Sequence, residues 1–496
     1  MNPPSVHLSA SSFHSLYRPS TCTRRVYLLA HETPAGEPSQ FELLMRELGE
    51  RHEKEHLSRF AGVRNLAEGS LSDRAERTRD AVRNGAPVIY QGVLRAELPG
   101  SRDVVTGIPD FMILDGDSHR IRDCKLSRSV REDSHPEIFR QLQTYGWLFE
   151  KTFNRLPAAL EAYLGNRILE TIPYRGPTRA EADLVKLRNL LLLPDEPWEP
   201  VGWSKCGGCP FQHRCWSRAA DDHDVSVVYG LDQKTARALR EMGINTYDEL
   251  LQNMGVEKLA GLTRARGRAA QRVGAAAPRI IAQARALATG GVMRLGSLAL
   301  PSGPAVMLDL EGMPPQNDEI DKVYLWGMRV YGENGLRGPY QAAIAGFEEH
   351  GDREAWLRFL DNAAKVLLEQ GPIPFIHWAD YEKAKIGSYI ERFGDQNGVA
   401  ARVIELCFDL LKATRDSLAL PVPSYGLKII ERLSGYKRTM QDYGGDWSIA
   451  QYLRASQSAD TAARSRIMAE IARYNEEDLE AMASVLRWAR GLAGTA

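Results

Sequence analysis

The chain has 496 residues, 43% hydrophobic and 26% charged, a balance that excludes wholesale disorder and is long enough for roughly two or three cores. Lys plus Arg number 63 against 64 Asp plus Glu, so the formal charge of -1 excludes a global basic field, and any nucleic-acid surface must be local. No stretch approaches the roughly 18 apolar residues of a membrane span and Met1-Asn2-Pro3-Pro4 begins no signal peptide, so a cytoplasmic protein with no membrane partner is expected.

Cys22 is the first residue with metal chemistry to offer, and its partners come late in the chain. Six cysteines without an export signal fit a reducing compartment and metal binding better than disulfides. Residues 41–60 (FELLMRELGERHEKEHLSRF) predict an amphipathic helix that offers Leu43, Leu44, Leu48 and Leu57 for burial and carries His52 and His56 one turn apart. By itself such a histidine pair on a charged helix is more often a solvated face than a metal site.

The segments from Gly107 to Leu114 and from His119 to Ser127 predict two strands around an Asp-Gly turn. A turn centred on Gly116 and Asp117 sets Asp110 opposite Asp123, with Cβ atoms ~5 Å apart. The period of two puts Lys125 on the face of Asp123 and turns Cys124 away. Adjacent carboxylates repel, and Mg²⁺ or Mn²⁺ resolves that cost while activating a bound water beside the lysine, which points to phosphodiester hydrolysis. Asp-x-Lys alone is common and also fits a solvated strand end. A helix over 137–150 then places Gln141 and Tyr145 on one face. Finally, Cys206, Cys209 and Cys215 supply three thiolates, one short of a tetrahedral or cubane site, and Cys22 is the best candidate for the fourth.

The order Cys22, Gly49-x-x-His52, Gly107-x-x-Asp110, Asp123-x-Lys125, Gln141-x3-Tyr145 and Cys206-x2-Cys209-x5-Cys215 resembles the RecB-type branch of the PD-(D/E)XK nucleases. Within it the chain is most similar to the iron-sulfur members. The resemblance implies a 4Fe-4S cluster on Cys22, Cys206, Cys209 and Cys215, and metal ligation by His52, Asp110, Asp123 and the backbone carbonyl of Cys124. It also makes Lys125 the catalytic lysine and Gln141 with Tyr145 the substrate-side motif.

Residues 230–244 predict a helix with a stop at Gly243 and a second helix from near Thr246, and resemble a helix-hairpin-helix module that binds phosphate through backbone N–H groups. Arg264, Arg266, Arg268, Arg272, Arg279 and Arg285 follow with no acidic residue among them. The first four are the candidate DNA-binding arginines, with a helical spacer as the alternative.

The apolar strand at 305–312 carries Asp309 and Glu311 on one face. Strands at 323–331 and 338–344, a helix at 353–369 and a further strand and helix around Pro374 to Glu382 predict an RNase H-like sheet. A last helix sets Tyr474 and Asp478 on one face. These features resemble the DEDD-type 3′-5′ exonucleases. The resemblance implies Asp309, Glu311, Glu382 and Asp478 around two Mg²⁺ or Mn²⁺ ions, with Tyr474 orienting the attacking water. Glu382 stands where that family has aspartate, and its extra methylene shifts a ligand by about a bond length, so a domain that grips DNA without cutting is the alternative.

The arrangement resembles the TM-type RecB-like nuclease family over nearly the whole chain. It implies an α/β multidomain protein with a PD-(D/E)XK restriction-endonuclease-like domain and 4Fe-4S clasp at 1–220, a helical helix-hairpin-helix-like middle at 221–300 and an RNase H-like DEDD domain at 301–496. The expected function is a metal-dependent DNA nuclease acting on single strands or duplex ends in repair or defence. The alternative is a non-catalytic or partly inactive DNA-end-binding subunit that recruits a helicase. The chain has no P-loop Gly-Lys-Ser/Thr, so a helicase or defence-system subunit would be a separate partner.

Overall fold

A mixed sheet organises the first half of the chain, and its central hairpin turns at Gly116. The fold is a computed structural model describing residues 6–266, 269–313, 321–332, 335–348, 350–440 and 444–494. It divides into two units, one built before Arg214 and the other from Arg214 onward, apart from short segments at 39–41 and 202–204 that group with the second.

In the first unit, helix α1 (Gln40–Leu57) precedes strands β1 (Val63–Asn65), β2 (Val88–Tyr90), β3 (Phe111–Asp115) and β4 (Ser118–Lys125). Helix α2 (Pro136–Phe153) then crosses to β5 (Ala159–Leu164), and β6 (Leu169–Ile172) closes the sheet in the order β1-β2-β3-β4-β5-β6. The β3–β4 pairing is antiparallel, with Phe111 against Arg122 and Met112 against Ile121, which is the register expected from the turn. β4 and β5 are parallel, as a crossover helix between them requires. Along β4 the alternation buries His119, Ile121 and Asp123, so Asp123 ends a core-facing row. α2 buries Ile138, Leu142, Tyr145, Trp147, Leu148 and Phe149 and stops at Asn154, whose left-handed backbone (φ 52°) caps it. On α1, Leu44 is buried whereas Leu43, expected to be in the core, is exposed.

In the second unit, β7 (Ala305–Gly312), β8 (Val323–Tyr331) and β9 (Gln341–Ile344) form an antiparallel meander. Helix α3 (Gly351–Gln370) leads to β10 (Phe375–His377), helix α4 (Tyr381–Phe393) follows, and β11 (Cys407–Asp409) completes the order β9-β8-β7-β10-β11. β10 is parallel to both β7 and β11. The long helix α5 (Thr461–Gly494) packs on this sheet and buries Ile471, Tyr474, Leu479, Met482 and Leu486.

The middle of the chain belongs with the second unit for a physical reason. Helix Ala277–Thr289 buries Gln283, which donates to the carbonyl of Val422 and accepts from Tyr425, and Arg279 pairs with Asp416. Ahead of it, helices Gln233–Glu241 and Tyr247–Asn253 flank the Gly243 stop, and Thr246 with Glu249 forms a capping box. The arginine-rich stretch begins as an antiparallel pairing of Thr263–Arg266 with Ala269–Arg272, where a helical spacer was the alternative to DNA binding. Among the described residues no helix is long and apolar enough to cross a membrane.

Candidate active sites

The first candidate site gathers side chains from α1, β4, α2 and the turns around β2 and β3. They line a cavity of about 470 Å³ that includes Glu53, Gln91, Asp110, Asp123, Lys125, Gln141 and Tyr145. Asp110, one residue before β3, accepts a 2.7 Å hydrogen bond from the Cys124 amide and one of 3.0 Å from Gln91 Nε2. Lys125 forms an ion pair with Asp123 on the same face of β4 and donates to Gln141 Oε1 at 2.9 Å. Gln141 in turn donates to Tyr145 OH at 2.7 Å, and Tyr145 donates to the carbonyl of Ile108. The lysine is therefore held from both sides. Gly107 makes this closeness possible, because a Cβ there would lie 2.6 Å from Leu148 and 2.7 Å from the Tyr145 ring.

The acids of this site are crowded and buried, although no three of them bring ligand oxygens within 4.8 Å of one another. Burial pushes the Asp110 carboxyl well above its usual range, and the charges of Asp123 and Glu53 push it further. Burial opposes the charge on Lys125, yet Asp123 overrides it and keeps the ammonium protonated. Asp123 Oδ2 is buried and has no hydrogen bond beyond that ion pair. Carboxylate oxygens left in this condition fit a hard divalent ion.

The neighbouring pair on α1 is arranged differently from the expected ligand set. His52 is buried with its ring stacked on Tyr163 and its Nε2 3.2 Å from the Tyr163 carbonyl, whereas Glu53 faces the cavity. Glu53 receives 2.6 Å from Gln91 Nε2 and also bonds Tyr90. Neither Glu53 nor Gln91 was singled out from the sequence.

The second candidate site lies where β7 meets α5. Ligand oxygens of Asp309, Glu311 and Asp478 fall within 4.8 Å of one another, the one such group of His, Cys, Asp and Glu among the described residues. Burial raises all three carboxyls and mutual repulsion adds to it for Asp309 and Glu311, the latter reaching about 8; Arg438 pulls Asp478 the other way. Glu382, buried at the start of α4, sits 3.6 Å from His377 Nδ1 and leaves Oε2 without a hydrogen bond. Burial works against a charged His377, but the nearby Cys407 and Glu382 side chains outweigh it and raise the ring to about 10. Tyr474 is buried under the ammonium of Lys428, 4.9 Å from its ring centroid.

Two further residues at this site escaped the sequence. Asn475 donates to Asp309 Oδ2 at 2.6 Å, and Arg438 reaches Asp478 Oδ1 at 2.5 Å while clasping Glu431 with two bonds of 2.7 Å.

Cys22, Cys206 and Cys209 fall in the first unit, and Cys215 just inside the second. Cys22 caps helix Thr23–Ala30, its sulfur accepting from the Arg25 amide at 3.4 Å. In the Cys206–Cys209 loop the Cys209 amide bonds the Cys206 carbonyl, and Arg25 and Cys206 both act on the Cys209 thiol, which burial raises. The Gly36 amide donates to the Pro210 carbonyl at 2.9 Å, tying the N-terminal segment to this loop. Cys215 follows on helix Gln212–Asp221. All four are half-buried and free of disulfides. Unlike the carboxylates of the second site, no three of their sulfurs lie within 4.8 Å of one another. Of the arginines, Arg264 pairs with Asp232, Arg266 ends its strand, Arg272 is exposed, and Arg268 lies outside the described residues.

Taken together, a mixed sheet presenting carboxylates and a lysine, and the β9-β8-β7-β10-β11 sheet presenting an acidic cluster, define a nuclease-class hydrolase whose substrate is nucleic acid. Residues 5–216 match the model of the PD-(D/E)XK nuclease superfamily, and residues 306–490 match RNase_H_2 of the RNase H superfamily. The chain carries both domains fused in one polypeptide, the two-domain nuclease arrangement its sequence resembles. Among solved structures, SSO0001 is similar at 18% identity over 35% of this chain and 97% of its own, with a TM-score of 0.20, too low to add to the assignment. No curated protein matches the chain.

Proposed function

We propose that the chain is a divalent-metal-dependent DNA nuclease with two separate sites, working as an exonuclease on single strands or duplex ends in DNA repair or in defence against foreign DNA. The convergence of Glu53, Asp110, Asp123 and Lys125 on one cavity carries this reading. In the first site Glu53, Asp110, Asp123 and the Cys124 carbonyl would hold Mg²⁺ or Mn²⁺, with Glu53 in the place expected of His52. Bound there, the ion supplies charge stabilisation and a water of lowered pKa. Lys125, kept charged by Asp123 and aimed by Gln141 and Tyr145, meets the negative charge that develops on the phosphoryl oxygens.

In the second site Asp309, Glu311 and Asp478, with Glu382 behind them, would form the corresponding cluster, and Tyr474 would orient the attacking water. The Arg438–Asp478 ion pair favours one variant of this reading, in which the second domain grips DNA without cutting it. Cys22, Cys206, Cys209 and Cys215 are assigned a 4Fe-4S cluster that cross-links the first domain and takes no part in hydrolysis. Support for it comes from the one-plus-three spacing and the Gly36–Pro210 bond. Arg266, Arg268 and Arg272 are proposed backbone contacts, and a separate helicase would supply single strands.

The test is purified protein with Mn²⁺ and end-labelled single-stranded DNA. The expected result is shortening that chelation abolishes, with Asp123→Ala and Asp309→Ala each removing part of it. No metal-dependent cleavage overturns the reading, and loss of all cleavage in Asp123→Ala alone shows the second domain to be inert.

A further inference from the structure

Gln91 has a left-handed backbone, φ 56°, which a residue with a Cβ adopts at a cost and which glycine would adopt freely. It directly follows β2, where side chains alternate between faces, so Tyr90 and Gln91 would ordinarily point in opposite directions. The left-handed residue reverses that. Tyr90 bonds Glu53, and Gln91 Nε2 donates to Glu53 Oε1 at 2.6 Å and to Asp110 Oδ1 at 3.0 Å. The backbone is pinned as well: the Gln91 amide donates to the Asp110 carbonyl at 2.9 Å, and the largely buried Arg74 donates to the Gln91 carbonyl at 2.8 Å.

We propose that Gln91 is a positioning residue of the first site, whose side-chain amide holds the Glu53 and Asp110 carboxylates side by side, where they can share a divalent cation. Glu53 comes from α1 and Asp110 from the approach to β3, and both are negative, so without a bridge each relaxes away from the other. One amide nitrogen has two hydrogens and spans both carboxylates without adding charge. Local strain held at such a point is characteristic of a site that needs a particular side chain there more than it needs a relaxed backbone. The inference rests on the proposed reading of this cavity as a metal site.

The test is Gln91→Gly in a chain that also carries Asp309→Ala, so that Mn²⁺ titration reports the first site. Glycine removes the side chain and relieves the backbone. The expected outcome is a melting temperature equal to or above that of the Asp309→Ala parent, Mn²⁺ affinity lower by about tenfold or more, and a lower kcat with KM for DNA retained. Gln91→Asn, which tolerates the same backbone but is one methylene too short to span both acids, is expected to lose affinity likewise. Unchanged Mn²⁺ affinity in either variant overturns the proposal while leaving the metal site standing. Affinity lost only in step with melting temperature also overturns it, because Gln91 is then part of the packing. If the parent itself binds no Mn²⁺, the reading of the cavity falls first and the role of Gln91 falls with it.

Discussion

The Asn475 amide donates a 2.6 Å hydrogen bond to Asp309 Oδ2 from a position that the sheet leaves open only because residue 327 is glycine. Gly327 pairs directly with Asp309 across β7 and β8, and a Cβ on it would lie 1.7 Å from Asn475 Oδ1. Asn475 also accepts from Tyr340, so its amide cannot simply rotate away. Gly327→Ala is therefore expected to displace Asn475, free the Asp309 carboxylate and lower Mn²⁺ affinity at the second site by about tenfold. Titrating Mn²⁺ into that variant in an Asp123→Ala background checks this, and an unchanged affinity would mean that Asn475 does not orient Asp309.

Glu311 makes stability of the metal-free protein depend on pH. Its folded carboxyl sits at about 8, mainly through burial and the charge of Asp478, against about 4.3 in an unfolded chain. Between those values the folded state binds more protons than the unfolded one, so stability falls as pH rises through this window. A divalent ion satisfies the ionised carboxylates and reverses the penalty. Mn²⁺ should accordingly raise the melting temperature by several degrees more at pH 8 than at pH 6, and Glu311→Gln should flatten the metal-free profile. A larger Mn²⁺ effect at pH 6 would contradict this account.

His119 carries the opposite sign. It is fully buried on β4 beside Phe149, neither ring nitrogen has a hydrogen-bond partner, and burial lowers it to about 4. The unfolded imidazole titrates near ~6.5, so the unfolded state takes up protons first and stability is lost as pH falls from 6.5 towards 4. His119→Leu removes two unsatisfied polar atoms at similar volume and should gain about 1–3 kcal/mol, most visibly at pH 5. Urea denaturation of both chains at pH 5 and pH 7 measures it; a larger gain at pH 7 would be inconsistent with a buried neutral histidine.

The proposed cysteine clasp predicts a spectroscopic signature. Anaerobically purified protein should absorb in a broad band near ~400 nm, and Cys22→Ser should bleach it and lower the melting temperature as strongly as Cys209→Ser does. A colourless protein containing zinc would replace the cluster with a structural zinc site.

Periodic and local patterns made much of both sites legible. The Asp-Gly turn sets the β3–β4 register, so Asp110, Asp123 and Lys125 could be brought together on paper, and helical spacing did the same for Gln141 with Tyr145 and Tyr474 with Asp478. The choice between His52 and Glu53 was not legible. Consecutive helix residues point about 100° apart, and the rotation of α1 is set by which apolar residue it buries, Leu44 rather than Leu43. Gln91, Asn475 and Arg438 share this character, because their meaning comes from partners distant in the chain.

The sequence by itself determined the two nuclease domains, the strand and helix faces that carry the acids, and the one-plus-three cysteine spacing, since each depends on short-range periodicity. Only the tertiary structure decided that Glu53 faces the first cavity, that a strained glutamine bridges it to Asp110, and that Arg438 and Asn475 hold the acids of the second site. Those contacts depend on how elements rotate and approach in space, and that is settled by packing of the whole core rather than by any local pattern.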